Sequence, residues 1–170
     1  SDFNDLQIKG TTRPPVFGNL RNSFSYRSLS LSVNIAYYFG HYFRKGTIQY
    51  ESLFSTWAMH SDYNFRWQKP GDELITNVPS MPYPSNTNRD LFYAKSSATV
   101  LKADHIRLQD IRLSWRLSAV KSTLLNKGEL YMYCNNLGCI WMANKEKIDP
   151  IYGDAVPAPA TYAIGFKTNF

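Results

Sequence analysis

Four stretches of the chain alternate apolar and polar residues with a period of two. The clearest covers residues 24–43. Leu29, Leu31, Val33, Ile35, Tyr37 and Phe39 share one parity, and Ser28, Ser30, Ser32, Asn34 and Ala36 share the other. A helix would scatter these apolar residues around its cylinder, whereas a strand gathers them on one face. The second stretch, residues 104–117, sets Ile111, Leu113, Trp115 and Leu117 against Asp110, Arg112, Ser114 and Arg116. Ile106 and Leu108 carry the opposite parity, so the phase slips near Gln109-Asp110. That slip predicts a β-bulge, or a strand portion beyond the layer where the alternation holds. Residues 129–141 form a less regular third strand, because Tyr131 and Tyr133 oppose Leu130 and Met132 and leave its faces unassigned. Residues 161–170 form the last, with Tyr162, Ile164, Phe166 and Phe170 opposite Ala163, Gly165, Lys167 and Asn169.

The segments between these strands differ in kind. Residues 1–23 read as a connection, since Thr11-Thr12-Arg13-Pro14-Pro15 excludes a central strand and Gly10 and Gly18 supply turn freedom. Residues 44–103 read as a long loop. Pro70, Pro79, Pro82 and Pro84 and the run Ser85-Asn86-Thr87-Asn88 interrupt regular structure, apart from a short helix within 52–60. Residues 118–128 suit a tight connection, and residues 142–160, with Pro150, Pro157 and Pro159, form a second loop. The two long loops therefore lie at the same end of the strands. A loop as long as the first argues against an ordinary soluble domain.

Aromatic placement sharpens this picture. The apolar face of the first strand extends from Leu29 to Phe39, and about 9–11 residues of tilted strand cross a hydrocarbon layer. Tyr37, Tyr38, Phe39, Tyr42 and Phe43 crowd one end, and Phe24 and Tyr26 mark the other. Two such ends resemble the aromatic girdles of a membrane barrel. The final strand stops on an aromatic residue, which suits an apolar face that points into lipid. The expected fold class is all-β, with antiparallel strands from a large transmembrane β-barrel and long extracellular loops. Four strands cannot close such a barrel, and open edges are not tolerated in hydrocarbon, so the chain is expected to be part of a larger one. The alternative is a soluble, secreted carbohydrate-binding β-sandwich.

Composition adds exclusions. Aromatic residues make up 15% of the 170 residues, charged residues 19%, and the mean hydropathy is −0.37. No run approaches the ~18 apolar residues of a transmembrane helix. The formal charge of +6 is spread along the chain without a Lys/Arg run, so nucleic acid is not an expected partner. Cys134 and Cys139 flank Asn135-Asn136-Leu137-Gly138 and read as two unpaired thiols; with no histidine nearby, a metal site is not expected. No cofactor is implied. Asp104-His105 with Ser114 does not make a hydrolase: adjacent strand residues face opposite ways, and no nucleophile-elbow sequence is present.

The first long loop holds Trp57, Tyr63, Phe65, Trp67, Tyr83, Phe92 and Tyr93. Such rings can stack on sugars, with Arg66, Gln68 and Asn77 placed to hydrogen-bond hydroxyls. They can equally form the loop's own core or pack on a partner. Arg66, close to Asp72 and Glu73, suits a loop-internal ion pair. The ligand-binding candidates are Trp67, Tyr83 and Arg66. Arg112 and Arg116 read as residues of a hydrated channel wall.

Several motifs in order then resemble the C-terminal end of the SusC/RagA-type TonB-dependent transporters of the Bacteroidetes outer membrane. They are Pro15-Val16-Phe17-Gly18 with Asn22-Ser23-Phe24-Ser25-Tyr26; Leu29-Ser30-Leu31-Ser32-Val33-Asn34-Ile35; Arg66-Trp67-Gln68-Lys69-Pro70-Gly71-Asp72; Asn77-Val78-Pro79 with Tyr83-Pro84; residues 104–114; Asn135-Asn136-Leu137; Trp141; Ala143-Asn144-Lys145-Glu146; Ile148-Asp149-Pro150; and Pro157-Ala158-Pro159. The resemblance implies a location in the Gram-negative outer membrane and a barrel with an N-terminal plug and a TonB-contacting segment. It implies a SusD-like surface lipoprotein as lid and import of oligosaccharides or peptides. The plug and TonB segment are absent from these residues, so transport is expected of a parent protein. Phe170 resembles the C-terminal aromatic recognised by the barrel-assembly machinery. The expected partners are thus the lipoprotein, the TonB complex, that machinery, membrane lipid and the ligand.

Overall fold

The computed structural model describes residues 6–117 and 127–169. Its strands are β1 (Val16–Tyr26), β2 (Leu29–Phe39), β3 (Tyr42–Arg44), β4 (Val100–Lys102), β5 (His105–Leu117), β6 (Lys127–Asn135), β7 (Cys139–Met142) and β8 (Thr161–Asn169). Two α-helices, α1 (Tyr50–Thr56) and α2 (Thr87–Lys95), lie between β3 and β4. All strand pairings are antiparallel. No helix is long and apolar enough to cross a membrane, which says nothing about strands. The chain divides into two compact units, one of residues 13–41 and 103–169, the other of residues 6–12 and 42–102.

The first unit is a sheet in the order β1-β2-β5-β6-β8, with β7 alongside the upper part of β5. Residues 24–43, expected as a single strand, are instead the two arms of a hairpin plus a separate strand. Arg27, with φ 53°, turns the chain so that Tyr26 pairs with Leu29, and the pairing continues to Val16 with Phe39. The first arm occupies much of what reads as a connection. Its apolar parity of Val16, Leu20, Phe24 and Tyr26 is interrupted by Gly18 and Asn22, which hides the strand period. Gly18 makes room for Tyr37: a Cβ there would lie 2.6 Å from the Tyr37 hydroxyl and 2.8 Å from the ring. Gly40, with φ 81°, ends β2, and Tyr42 and Phe43 belong to β3, in the other unit.

The phase slip in β5 is a bulge. Asn34 pairs with Asp110 but Ile35 pairs with Leu108, leaving Gln109 over. The extra residue restores the phase, so Ile106 and Leu108 share the face of Ile111, Leu113 and Trp115. The other edge of β5 responds at the same height. The expected strand 129–141 is two strands, broken at residues 136–138. There the Asn136 amide donates to the Gln109 carbonyl (2.8 Å) and the Leu108 amide to the Gly138 carbonyl (3.0 Å). Asn136 sits at φ 56°, and its side-chain amide donates to the carbonyls of Ala158 and Pro159 (3.3 Å for the latter). Residues 118–126 and Phe170 lie outside the described residues, so the tight connection and the terminal aromatic expected there are not placed.

The second unit has its own stem and core. Tyr42 pairs with Lys102 and Arg44 with Val100, and the Tyr42 amide donates to the Thr11 carbonyl (2.9 Å). Ile48, Tyr50, Val78 and Tyr93 are buried together, with Leu53 and Tyr63 packed on them. The expected helix within 52–60 is α1, which begins earlier and stops at Trp57 in the left-handed region (φ 58°). The run expected only to break structure starts α2: the Asn86 side chain accepts from the Arg89 amide (3.2 Å) as its N-cap. From α2, the buried Asp90 carboxylate accepts the Tyr50 amide (2.7 Å), and the Tyr50 hydroxyl donates to the Pro79 carbonyl (2.6 Å). Burial is the main reason the Tyr50 phenol lies above its ordinary pKa.

Candidate functional site: a two-faced wall and a loop hollow

The alternation within each strand, carried through the pairing register, makes continuous rows across the sheet. One row reads Tyr26, Leu29, Trp115, Leu130, Phe166; the next but one reads Phe24, Leu31, Leu113, Met132, Ile164. These side chains have no cover within the described residues. Leu113 is 38% exposed, Phe24 63% and Ile164 78%. At the far end Phe39 stacks on Tyr37 (5.8 Å between centroids) and meets Trp141 (6.2 Å). Aromatic residues thus mark both limits of one apolar face.

The opposite face is polar and internally bonded. Ser25 and Ser30 share a hydrogen bond (2.9 Å), and Ser23 donates to Ser32 (3.2 Å). Asp110, buried between β2 and β6, accepts both guanidinium nitrogens of Arg21 (3.1 and 2.9 Å) and the amide of Asn34 (2.9 Å). Arg112 pairs with Glu129 (3.1 Å) and lies over the Tyr131 ring (4.7 Å). Arg116 lies opposite Glu129 in the register, whose carboxylate pairs with Arg112 instead. Tyr131 fits because its partner, Gly165, has no side chain to collide with that ring. The register also settles β6: Leu130 and Met132 are on the apolar face, Tyr131 and Tyr133 on the polar one.

Above the bulge, buried Arg107 pairs with Asp149 and faces the Tyr152 ring (5.5 Å). This pins the second long loop to the sheet. Burial would raise the Asp149 carboxyl pKa, but the Ile151 amide and Arg107 outweigh it and hold it below its ordinary range. Both thiols are free, as expected, and Cys139 lies against Asp149 (3.6 Å). His105 is stacked on Tyr38 (4.8 Å) with His41 nearby (5.9 Å), and Asp104 accepts the amides of Gly40 (2.6 Å) and His41 (3.3 Å). Ser114 lies far down β5, opposite Ser30 and Tyr131, so Asp104, His105 and Ser114 form no catalytic set. Among the described residues no group of three His, Cys, Asp or Glu could hold a metal.

In the loop unit, Leu53, Phe54, Trp57, Met59, Tyr63 and Met81 line a hollow of about 370 Å³. The aromatic residues of the first long loop split between roles: Tyr93 and Tyr63 serve the core, while Trp57, Phe65, Phe92 and Tyr83 are exposed. The core residues Ile48, Tyr50 and Val78 escape a sequence reading, because isolated apolar residues among turn formers have no period. The three ligand candidates have different neighbours. Tyr83 is 86% exposed and meets Phe54 edge-on (5.5 Å). Trp67 donates from its indole to the Lys69 carbonyl (2.5 Å). Arg66 donates to the Tyr63 carbonyl (2.8 Å) and lies over its ring (3.9 Å). Asp72 instead accepts the amides of Gln68 and Lys69. Arg66 is therefore held within the loop by Tyr63, rather than by the expected carboxylates.

No protein-family model matches the chain, and no curated protein sequence matches it. Solved structures do. A chain from the structure of the RagAB peptide transporter is 19% identical, with a TM-score of 0.64. Chains of the RagAB peptide importer in its "open-open" and "closed-closed" states are 17% and 18% identical, with TM-scores of 0.63 and 0.61. Each match covers 96% of this chain and 18% of the other. The chain thus spans under a fifth of those chains' length, and the likeness establishes a shared fold: a mostly antiparallel β arrangement found within a peptide importer.

Proposed function

We propose that the chain is the C-terminal barrel wall of a SusC/RagA-type TonB-dependent transporter in the outer membrane. The observation that carries this reading is the sheet with an uncovered apolar face on one side and a hydrogen-bonded polar face on the other. From Leu29 to Phe39 the apolar face rises about 34 Å along the strand, at about 3.4 Å per residue. Tilted by about 45°, that is a band about 24 Å tall, close to the hydrophobic height of outer-membrane barrels. Lipid covers the apolar face in this arrangement, and the Asp110 and Arg112 networks face a hydrated lumen. The free edges of β1 and β8 pair with strands of the same barrel that these residues do not include. The importer folds resembling the chain support the same reading.

Residues 44–103 and 142–160 are then extracellular. The parent protein imports oligosaccharides or peptides, with a SusD-like lipoprotein on its outer side and the TonB complex engaged through its N-terminal part. Trp67, Tyr83 and Arg66 contact ligand, and Phe170 is the assembly signal. The test is the solution behaviour of the purified chain. Alone in plain buffer it is expected to aggregate, whereas the full-length protein is expected to be monodisperse in detergent and to run faster on gels before boiling. A cooperatively folded monomer of the isolated chain in plain buffer would overturn the proposal in favour of a soluble β-sandwich.

A further inference from the structure

Two arginines of the sheet lie over tyrosine rings on opposite faces, and their surroundings differ. Arg112, on the polar face, covers Tyr131 and has Glu129 as its counter-charge at 3.1 Å. Arg27, in the β1–β2 turn, lies over Tyr26 at 5.3 Å from the ring centroid, and Tyr26 belongs to the apolar face. Among the described residues no carboxylate forms an ion pair with Arg27. The turn itself does not call for arginine. At φ 53° a two-residue hairpin turn favours Asn or Gly, so the long cationic side chain stands where a shorter residue would fold more easily. Its row continues through Leu29 and Trp115 to Phe166, so the cation borders an apolar surface ended by aromatic rings.

We propose that Arg27 binds the phosphate of a phospholipid headgroup, with Tyr26 and Trp115 at the boundary between headgroup and acyl chains. The inference rests on the membrane-wall reading and adds a lipid contact at the turn end of the wall. An amphipathic side chain at the limit of an apolar face reaches toward the polar layer while its stem stays on apolar surface. A guanidinium offers a forked set of donors matched to phosphate oxygens. The occupant is a lipid rather than a free anion, because the cation is joined to an apolar row and not set in a polar pocket.

The test uses the full-length protein in detergent, titrated with phosphatidylglycerol or phosphatidylcholine and read by native mass spectrometry. Arg27→Asn removes the charge while supplying a residue the turn prefers. The wild type is expected to retain phosphatidylglycerol about fivefold more strongly than Arg27→Asn, the loss that one cation near an anionic surface implies. Arg27→Lys should keep most of the difference, and excess inorganic phosphate should not abolish it. Equal retention by wild type and Arg27→Asn would overturn the proposal, as would complete competition by inorganic phosphate. Insertion is read separately, from gel mobility before and after boiling. A protein that inserts but shows no Arg27-dependent lipid binding refutes this contact alone, and one that never enters membranes refutes the wall reading with it.

Discussion

A lysine scan along one strand separates a lipid-facing surface from a buried core. The apolar positions of β2 lie at defined heights from the turn-end row at Leu29. Val33 is four residues up, about 14 Å along the strand at about 3.4 Å per residue. At a tilt of about 45° that is about 10 Å of depth, near the middle of the ~24 Å band. Val33→Lys should therefore cost about 2–4 kcal/mol, and Leu29→Lys, at the boundary, about 0–1 kcal/mol. Ser32→Lys faces the polar side among Arg21, Asp110 and Arg112, where an exposed charge changes stability by less than about 1 kcal/mol. The measurement is the urea midpoint of the full-length protein refolded into phosphatidylcholine vesicles. The larger loss corresponds to a roughly 30- to 900-fold fall in the folded-to-unfolded ratio. Equal losses at Leu29 and Val33 would refute the depth argument, since only a membrane grades the cost by height. A loss at Ser32 as large as at Val33 would refute the assignment of faces.

Other expectations concern the loop unit, the His41 end of the sheet and one contact on its apolar face. Asp90→Ala leaves the buried Tyr50 amide without its acceptor and should cost the loop unit about 1–3 kcal/mol, measured as faster amide exchange across Ile48, Tyr50 and Val78 with β5 unchanged. His41 has a pKa held down by burial and by His105, against the pull of Asp104. The folded form therefore resists protonation, and its stabilisation is present at neutral pH and lost as pH falls below about 6.5. Exchange at the Gly40 and His41 amides, corrected for intrinsic rates, should rise on acidification, and His41→Gln should flatten that rise. Gly18→Ala forces the Tyr37 ring aside and should cost about 1–3 kcal/mol, with Tyr37→Ser in the same chain recovering most of the loss in a thermal melt. Trp67→Ala or Tyr83→Ala should reduce ligand uptake by the full-length transporter; unchanged uptake removes that residue from the ligand contacts.

The strands that hold one face apolar over many residues are readable in the sequence, because the pairing partner adds nothing to a period of two. Even the bulge is visible there, since one extra residue inverts parity at Gln109. β1 is not, because Gly18 and Asn22 stand on its apolar side: one makes room for Tyr37, and the other sits opposite Val33. The break between β6 and β7 leaves no periodic mark, as it answers a bulge in a different strand. In the loop unit the signals are individually ambiguous. Asn86 reads equally as a breaker and as a cap, and in the fold its side chain caps α2 at the Arg89 amide while Asp90 reaches the Tyr50 amide. The candidate ligand residues stand out by type, while their surroundings depend on Tyr63, Phe54 and Lys69, which no local pattern links to them.

The stem of the loop unit has a consequence for how such chains can diversify. Tyr42 and Lys102 are partners across a short antiparallel pair, so the insertion leaves and returns at neighbouring points, and its core of Ile48, Tyr50, Val78 and Tyr93 is self-contained. A segment built this way behaves as a cassette. Its interior can be rewritten, or the whole exchanged for another with the same two-stranded foot, without re-registering a single rung of the sheet. On the proposed function, the loop unit could thus change faster than the sheet that carries it, and a transplant between Arg44 and Val100 is the natural unit for engineering it.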